Sequence, residues 1–235
     1  MSPARRSSQI SPRIGIMMLD TTFPRIKGDI GNPETFAFPV VYQKVRGASV
    51  QKLVIEADAG LVDDFITAGM SLVARGAKAV TTSCGFLALF HRQLVEALPV
   101  PVFSSSLLQV HLAQALIRRG QKTGIITARR SSLTEAHLAG VGIQHYPTAI
   151  VGMEQAQEFS AVFIGGKATL DRGQCRKEMQ AAAERLMHDH PDVGAIVLEC
   201  TNMPPFADAV RQATGVPVFD AVTMVNYAHS LLTRG

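Results

Sequence analysis

Two stretches decide the fold: Lys78-Ala-Val-Thr-Thr82-Ser-Cys84-Gly-Phe86 and Val193-Gly-Ala-Ile-Val-Leu198-Glu-Cys200-Thr201. Each is a short apolar run that stops one residue before a cysteine. The same seventeen residues separate Cys84 from Pro101-Val102-Phe103 and Cys200 from Pro217-Val218-Phe219. Ala79 and Ala195 sit at one offset within the two runs. A strand, a cysteine, a helix and a Pro-Val-Phe strand therefore occur twice in one chain.

Working outward, Arg13 to Leu19 reads as a buried strand and Val40 to Val45 as a strand or extended arm. Leu53 to Glu56 reads as a further short strand. Asp63 to Arg75 carries apolar residues at helical spacing and stops at Gly76. Phe86 to Leu98 and Leu107 to Arg119 are the next helices. The order then recurs: a strand at Lys122 to Thr127, a helix beginning at Ser131, extended chain from Gln144 to Val151, and a helix from Cys175 to His188. Helices at Pro204 to Ala213 and Val222 to Leu232 flank the strand at Val216 to Phe219. Alternation of this kind predicts an α/β fold: two pseudo-symmetric three-layer half-domains with parallel sheets and the active site in the cleft between them. The expected division is residues 13–119, carrying Cys84, and residues 120–235, carrying Cys200. The C-terminal helix is free to cross over onto the first half, and residues 1–12 are read as a flexible N-terminal segment. The Gly/Pro-rich segment from Phe23 to Pro39 is long for a structureless loop, which marks it as functional or mobile.

Composition removes several classes. Hydrophobic residues make up 47% of the 235 residues and charged residues 18%, with a net charge of +4. That is material for a sizeable core and excludes disorder. No Lys/Arg-dense, aromatic-interleaved face is present, so nucleic acid is not expected as a partner. No apolar run approaches a membrane span, so no membrane partner is expected either. Three cysteines, Cys84, Cys175 and Cys200, form neither a CxxC pair nor a disulfide framework. Together these features describe a reduced, cytoplasmic protein.

In an open parallel sheet, ligands sit beyond the carboxyl ends of the strands. Cys84 and Cys200 both lie there, one in each half, and are expected to face one pocket wide enough for a small molecule. A helix N-terminus is expected to lower a thiol's pKa and to bind anions such as carboxylates. One thiolate taking a proton from a substrate carbon while the opposing thiol returns one inverts a stereocentre without a cofactor. The oxygens of Ser83, Thr201 and Asn202 and the amide of Gly85 are suited to a carboxylate, with Phe86 shaping the same pocket. Asp20 could orient a substrate amine or a thiol, and a strand-end aspartate is its plain alternative. Thr127 could bind carboxylate or cap a turn. Cys175 is read as an ordinary partly exposed thiol, and Arg25, Lys27, Arg129 and Arg130 as solvated surface. His188-Asp-His190 reads as a polar helix end. His111, His137 and His145 form no ligand set, so no metal site is expected. Gly165-Gly166-Lys167 is not a phosphate loop, and no GxGxxG follows a strand, so no cofactor is implied. Ser104-Ser105-Ser106 either lines the cleft or starts a helix.

Leu198-Glu-Cys200-Thr-Asn-Met-Pro204 resembles the second cysteine motif of the aspartate/glutamate/hydantoin racemase superfamily, Cys-Thr-x-hydrophobic-Pro. Thr82-Ser-Cys84-Gly-Phe86 stands where that superfamily's first motif falls. The resemblance runs from residue 13 over nearly the whole chain. It implies a cofactor-independent racemase or epimerase of an amino acid or derivative, with Cys84 and Cys200 as paired acid and base, a small-molecule carboxylate substrate and a homo-oligomer. Amino-diacid racemases follow the first cysteine with Asn-Thr. Gly85-Phe86 here shifts the expectation toward a bulkier or less polar substrate. Arylmalonate-type decarboxylases keep one cysteine of the pair, which argues against decarboxylation. Maleate isomerases keep both, so cis–trans isomerisation stays open as an alternative. A non-enzymatic small-molecule binding protein is the reading from a different class.

Overall fold

The computed structural model describes residues 13–233; the N-terminal segment 1–12, expected to be flexible, lies outside them. The first four strands are β1 (Arg13–Met18), β2 (Val40–Lys44), β3 (Ala77–Thr82) and β4 (Val102–Phe103). They form one parallel sheet in the order β2-β1-β3-β4. Strands β5 (Lys122–Thr127), β6 (Thr148–Gly152), β7 (Val193–Leu198) and β8 (Val218–Phe219) form a second parallel sheet in the equivalent order β6-β5-β7-β8.

The repeat extends to register. Ile14 pairs with Ala79 and Thr123 with Ala195, and each sheet has its irregularity one residue earlier, at Arg13/Ile14 and at Lys122/Thr123. The central strands are near-continuous buried runs, as a parallel sheet covered on both faces requires.

Helices fill the connections: α1 (Val62–Ala74), α2 (His91–Ala97), α3 (Val110–Leu116), α4 (Glu135–Gly140), α5 (Gln157–Phe163), α6 (Arg172–Asp189), α7 (Ala207–Thr214) and α8 (Ala221–Leu232). Their ends follow ordinary capping chemistry. The Asp171 side chain accepts from the Gln174 amide at the start of α6, and Asp220 closes a capping box with Thr223 on α8. Two helices cross between the sheets. The helix α3 packs on β5 and β7, and α8 packs on β1, β3 and β4. Leu107, Val110 and Ala113 consequently share one buried cluster with Ile125, Ala195 and Val197 of the second sheet. Because each sheet is covered in part by the other half's last helix, the strand ends that carry the cysteines are held against each other. Among the described residues no helix is long and apolar enough to cross a membrane.

Three local readings change. Leu53 to Glu56 is no strand but part of a π-type turn, Gln51–Ile55. β1 is already paired on both edges, by β2 and β3. The run joins neither sheet, and Leu53 and Val54 pack into the core from the turn. The helix after Cys84 opens as a 3-10 stretch, Gly85–Phe90, before α2 begins. Cys175, expected partly exposed, is fully buried on α6, facing the core with Met179, Ala182 and Leu186; ahead of it, α5 buries Phe159, Val162 and Phe163 at i, i+3, i+4 spacing.

Candidate active site

Both cysteines sit just past the ends of the third strands of their sheets. The Ser83 amide donates to Met17 O at 2.9 Å, and the Glu199 amide to Ile126 O at 2.9 Å. These matched bonds carry the backbone one residue beyond β3 and β7 and present Cys84 and Cys200 on the same side of the molecule. Residues from the two halves then lock together. The Thr201 hydroxyl donates to Ser83 O at 2.7 Å, and Ser106 Oγ donates to Leu198 O at 2.6 Å. At Gly85 a Cβ atom would lie 2.2 Å from both the carbonyl oxygen and Oε1 of Glu199, so only glycine permits this approach.

Cys84 and Cys200 line one cavity, together with Ser83, Gly85, Phe86, Thr201 and Asn202 from the expected set. Its remaining walls are Leu19, Thr21, Phe23, Arg25, Val50, Val54, Ala128, Phe163, Ile164 and Glu199. The cavity volume is about 20 Å3, room for roughly one water molecule. The wide pocket expected from the repeat is therefore closed here. An outer recess of about 170 Å3 shares Thr21, Phe23, Val50 and Ile164 with it, so these side chains stand between the thiols and solvent.

Two expected site residues lie elsewhere. Asp20 is on the outer recess, exposed, and ion-paired with Lys44 at 2.8 Å. Thr127 is buried and donates to Glu199 Oε2 at 2.8 Å. The serine run does not line the cavity. Ser105 caps the following turn, Ser104 meets His91, and Ser106 holds the end of β7.

Sequence reading missed three charged groups. Glu199 is fully buried, and its Oε1 has no hydrogen-bond partner. A glutamate closing an otherwise apolar strand was the available signal. Asp29, read only as part of the long loop, is 1% exposed and accepts from Asn202 Nδ2 at 2.6 Å and from the Gly31 amide at 2.7 Å. Arg25, expected at the solvated surface, instead lines the cavity with its side chain 13% exposed. Its guanidinium donates to Asp29 at 2.8 Å and to Thr21 at 3.1 Å, and lies 4.9 Å from the Phe23 ring centre. The Phe23–Pro39 segment is thus a cross-braced wall of the site.

Burial decides the protonation states. It pushes the Cys84 thiol up to about 12, with the neighbouring Glu199 charge adding to the rise and the Phe86 amide and Arg25 opposing it. Cys200 is raised well above its ordinary value for the same two reasons, with the Asn202 amide opposing. The expected lowering by a helix N-terminus is overridden, because desolvation of a buried thiolate outweighs one amide. Glu199 is raised by burial to about 7, against the Thr127 hydroxyl and the Ala128 amide. The Cys200 thiol donates to Asn202 Oδ1 at 3.5 Å.

Two thiols and one carboxyl lining one closed cavity are groups able to exchange protons with a small molecule, and the Arg25 guanidinium is a cation on the same wall. Residues 70–225 match the family described as Asp/Glu/Hydantoin racemase. The chain belongs to that family. Its relatives include a dimethylsulfoniopropionate lyase of Durusdinium sp. clade D, 32% identical over 91% of this chain and 73% of the relative. Another is dimethylsulfoniopropionate lyase 3 of Emiliania huxleyi, 31% identical over 92% of this chain; the chain spans 58% of that relative's length. Among solved structures, allantoin racemase of Pseudomonas fluorescens superposes with a TM-score of 0.66 at 17% identity, covering 94% of this chain and 90% of that one. The two parallel four-stranded sheets with their covering helices are an α/β fold shared with this racemase.

Proposed function

We propose that the protein is a cofactor-independent enzyme that removes the proton α to a carboxylate and eliminates a leaving group from the β carbon, with dimethylsulfoniopropionate as the first substrate to try. The observation that carries this reading is the unequal equipment of the two thiols. The Cys200 thiol donates to Asn202 Oδ1, and Asn202 is itself held by Asp29, whereas among the described residues no side chain accepts from the Cys84 thiol, which shares its cavity with the unpartnered Glu199 Oε1. One side is built as a base and the other as a fixed donor. Elimination needs one base, while balanced racemisation needs two.

The chemistry follows from named groups. Arg25 holds the carboxylate and offsets the charge that grows on it as the α C–H bond breaks. The Cys84 thiolate takes that proton. The C–H electron pair becomes the Cα=Cβ bond, and the β C–S bond breaks with its pair on sulfur. Acrylate and neutral dimethyl sulfide result, and the site holds one extra proton to return to water. Phe23, Phe86 and Phe163 line the cavity, and aromatic faces attract a sulfonium cation as they do other onium groups. The family relatives named above support this substrate class.

A second reading rests on the matched positions of the two cysteines. Each sulfur faces the amide two residues on, Phe86 or Asn202. Interchangeable thiols would invert the α carbon of an amino acid or derivative such as a hydantoin. One experiment separates them: supply dimethylsulfoniopropionate and assay dimethyl sulfide and acrylate, then supply single enantiomers of amino acids and hydantoins in D2O and assay α-hydrogen exchange. Dimethyl sulfide release supports elimination. Exchange with loss of optical purity, and no release, supports inversion. Neither outcome, with Cys84→Ser behaving as the parent, would overturn both.

A further inference from the structure

We propose that Glu199 is the specificity-determining residue of the site: its buried carboxylate takes the positive charge of a small zwitterion, a carboxylate joined to an onium group, while Arg25 takes the carboxylate end. The inference deepens the function proposed above. It rests on that reading for the onium charge of the substrate and not for the elimination step.

Glu199 is fully buried, and its Oε1 meets no hydrogen-bond donor among the described residues. A buried carboxylate is costly unless it is paired. Yet among the described residues no arginine, lysine or histidine forms an ion pair with it. The carboxyl is nonetheless fixed in place. Its Oε2 is held by the Thr127 hydroxyl at 2.8 Å, and a Cβ at residue 85 would lie 2.2 Å from Oε1. Gly85 and Glu199 both line the cavity, as do Phe23, Phe86 and Phe163. One spare carboxylate oxygen and three aromatic side chains thus border the same space. A sulfonium has no N–H or O–H to donate, so charge and aromatic faces are the means of recognising it. Arg25 lines the cavity too, but its charge is already balanced by Asp29 at 2.8 Å. Two of its five N–H donors go to Asp29 and Thr21, which leaves others for a carboxylate. The unbalanced charge of the site is therefore the one on Glu199. A zwitterion answers it, whereas a dicarboxylate would meet Glu199 as a like charge.

The test compares two ligands of one shape. Dimethylsulfoniopropionate carries a dimethylsulfonium group where 4-methylpentanoate carries an uncharged isopropyl group, so the cost of opening the closed cavity is common to both. Each is titrated by calorimetry into the full chain bearing Cys84→Ser, which blocks turnover, and into the same chain with Glu199→Gln added. With Glu199 present, the sulfonium should bind at least about tenfold more tightly than its isostere. Glu199→Gln should weaken the sulfonium by about thirtyfold and move the isostere by less than about threefold. Where Glu199→Gln does not fold, proton release decides. A cation beside a carboxyl that titrates at about 7 drives off its proton, so sulfonium binding at pH 6 should release more than about half a proton, measured across buffers of different ionisation enthalpy, and the isostere none. The thiols at the cavity are held well above that pH, and Arg25 and Asp29 are paired with each other. A structural glutamate would weaken both ligands alike and release no proton. That result, an unchanged sulfonium affinity in Glu199→Gln, or no binding of dimethylsulfoniopropionate would overturn the proposal. Sulfonium binding that depends on Glu199, without dimethyl sulfide release by the parent, would keep the proposal and remove the elimination. Release by a parent whose affinity ignores Glu199 would do the reverse.

Discussion

The two halves of the molecule repeat one plan down to single hydrogen bonds, yet they differ where it counts. Ser83-Cys84-Gly85-Phe86 in the first half stands opposite Glu199-Cys200-Thr201-Asn202 in the second. Ser83 and Glu199 occupy the same place, and each answers an amide from the first strand of its own sheet. Leu19 N–H donates to Ser83 Oγ at 2.9 Å, and the Ala128 amide faces the Glu199 carboxyl. Gly85 and Thr201 are likewise equivalent. Thr201 reaches across to Ser83 O, and Gly85 makes room for Glu199 to reach back. The backbone is symmetric and the side chains are not: one carboxyl, one thiol bonded to the Asn202 side chain and one thiol without such a bond occupy a cavity that pure duplication would have equipped twice over. Under the elimination proposed above, asymmetry on a symmetric frame gives the two thiols separate jobs.

That comparison can be broken most decisively at the thiols. Cys84→Ser should lower turnover by about a thousandfold, the scale of a lost general base, while Cys200→Ser should lower it by about tenfold. Equal losses in steady-state assays would restore a symmetric pair and the inversion reading. Next in size is the charge. Glu199 binds its proton more tightly in the folded protein than in the unfolded chain, so stability is highest below about pH 4.5 and falls as pH rises toward 7. Glu199→Gln should remove this loss. Its urea denaturation should match the parent near pH 4.5 and exceed it by about 3 kcal/mol at pH 8. Gly85→Ala should destabilise by about 2 kcal/mol, because the added methyl meets the backbone oxygen of residue 199 as well as its carboxyl. Thr201→Val, which strands the buried Ser83 carbonyl, should lose about 1 kcal/mol in the same denaturation.

Much of the frame was legible in the residues. The spacing from each cysteine to its Pro-Val-Phe strand located two equivalent βαβ units, and parallel sheets with paired strand-end thiols follow from that spacing alone. What stayed hidden depends on contacts distant in sequence. Asp29 reads as a loop residue until the fold brings it to Asn202, 173 positions away. Arg25 looks solvated until the same loop folds over the cleft. Gly85 reads as a departure from a motif, and only packing shows that its missing side chain is filled by Glu199. Local apolar content could not tell the turn at Gln51–Ile55 from a strand, since a short apolar run buries its side chains equally well in either form. The protonation states were hidden for the same reason: a helix start is visible in sequence, whereas the depth of burial that outweighs it is not.

Phenylarsine oxide offers a direct trial of whether one small molecule can be met by a sulfur from each half at once. It joins two thiols through one arsenic with loss of water, and only where both can reach it. Intact mass and peptide mapping should find a single phenylarsenic bridge between Cys84 and Cys200, absent from Cys84→Ser and from Cys200→Ser and independent of Cys175. Separate adducts on the two cysteines, or an unmodified protein under conditions where iodoacetamide labels both, would contradict a shared site.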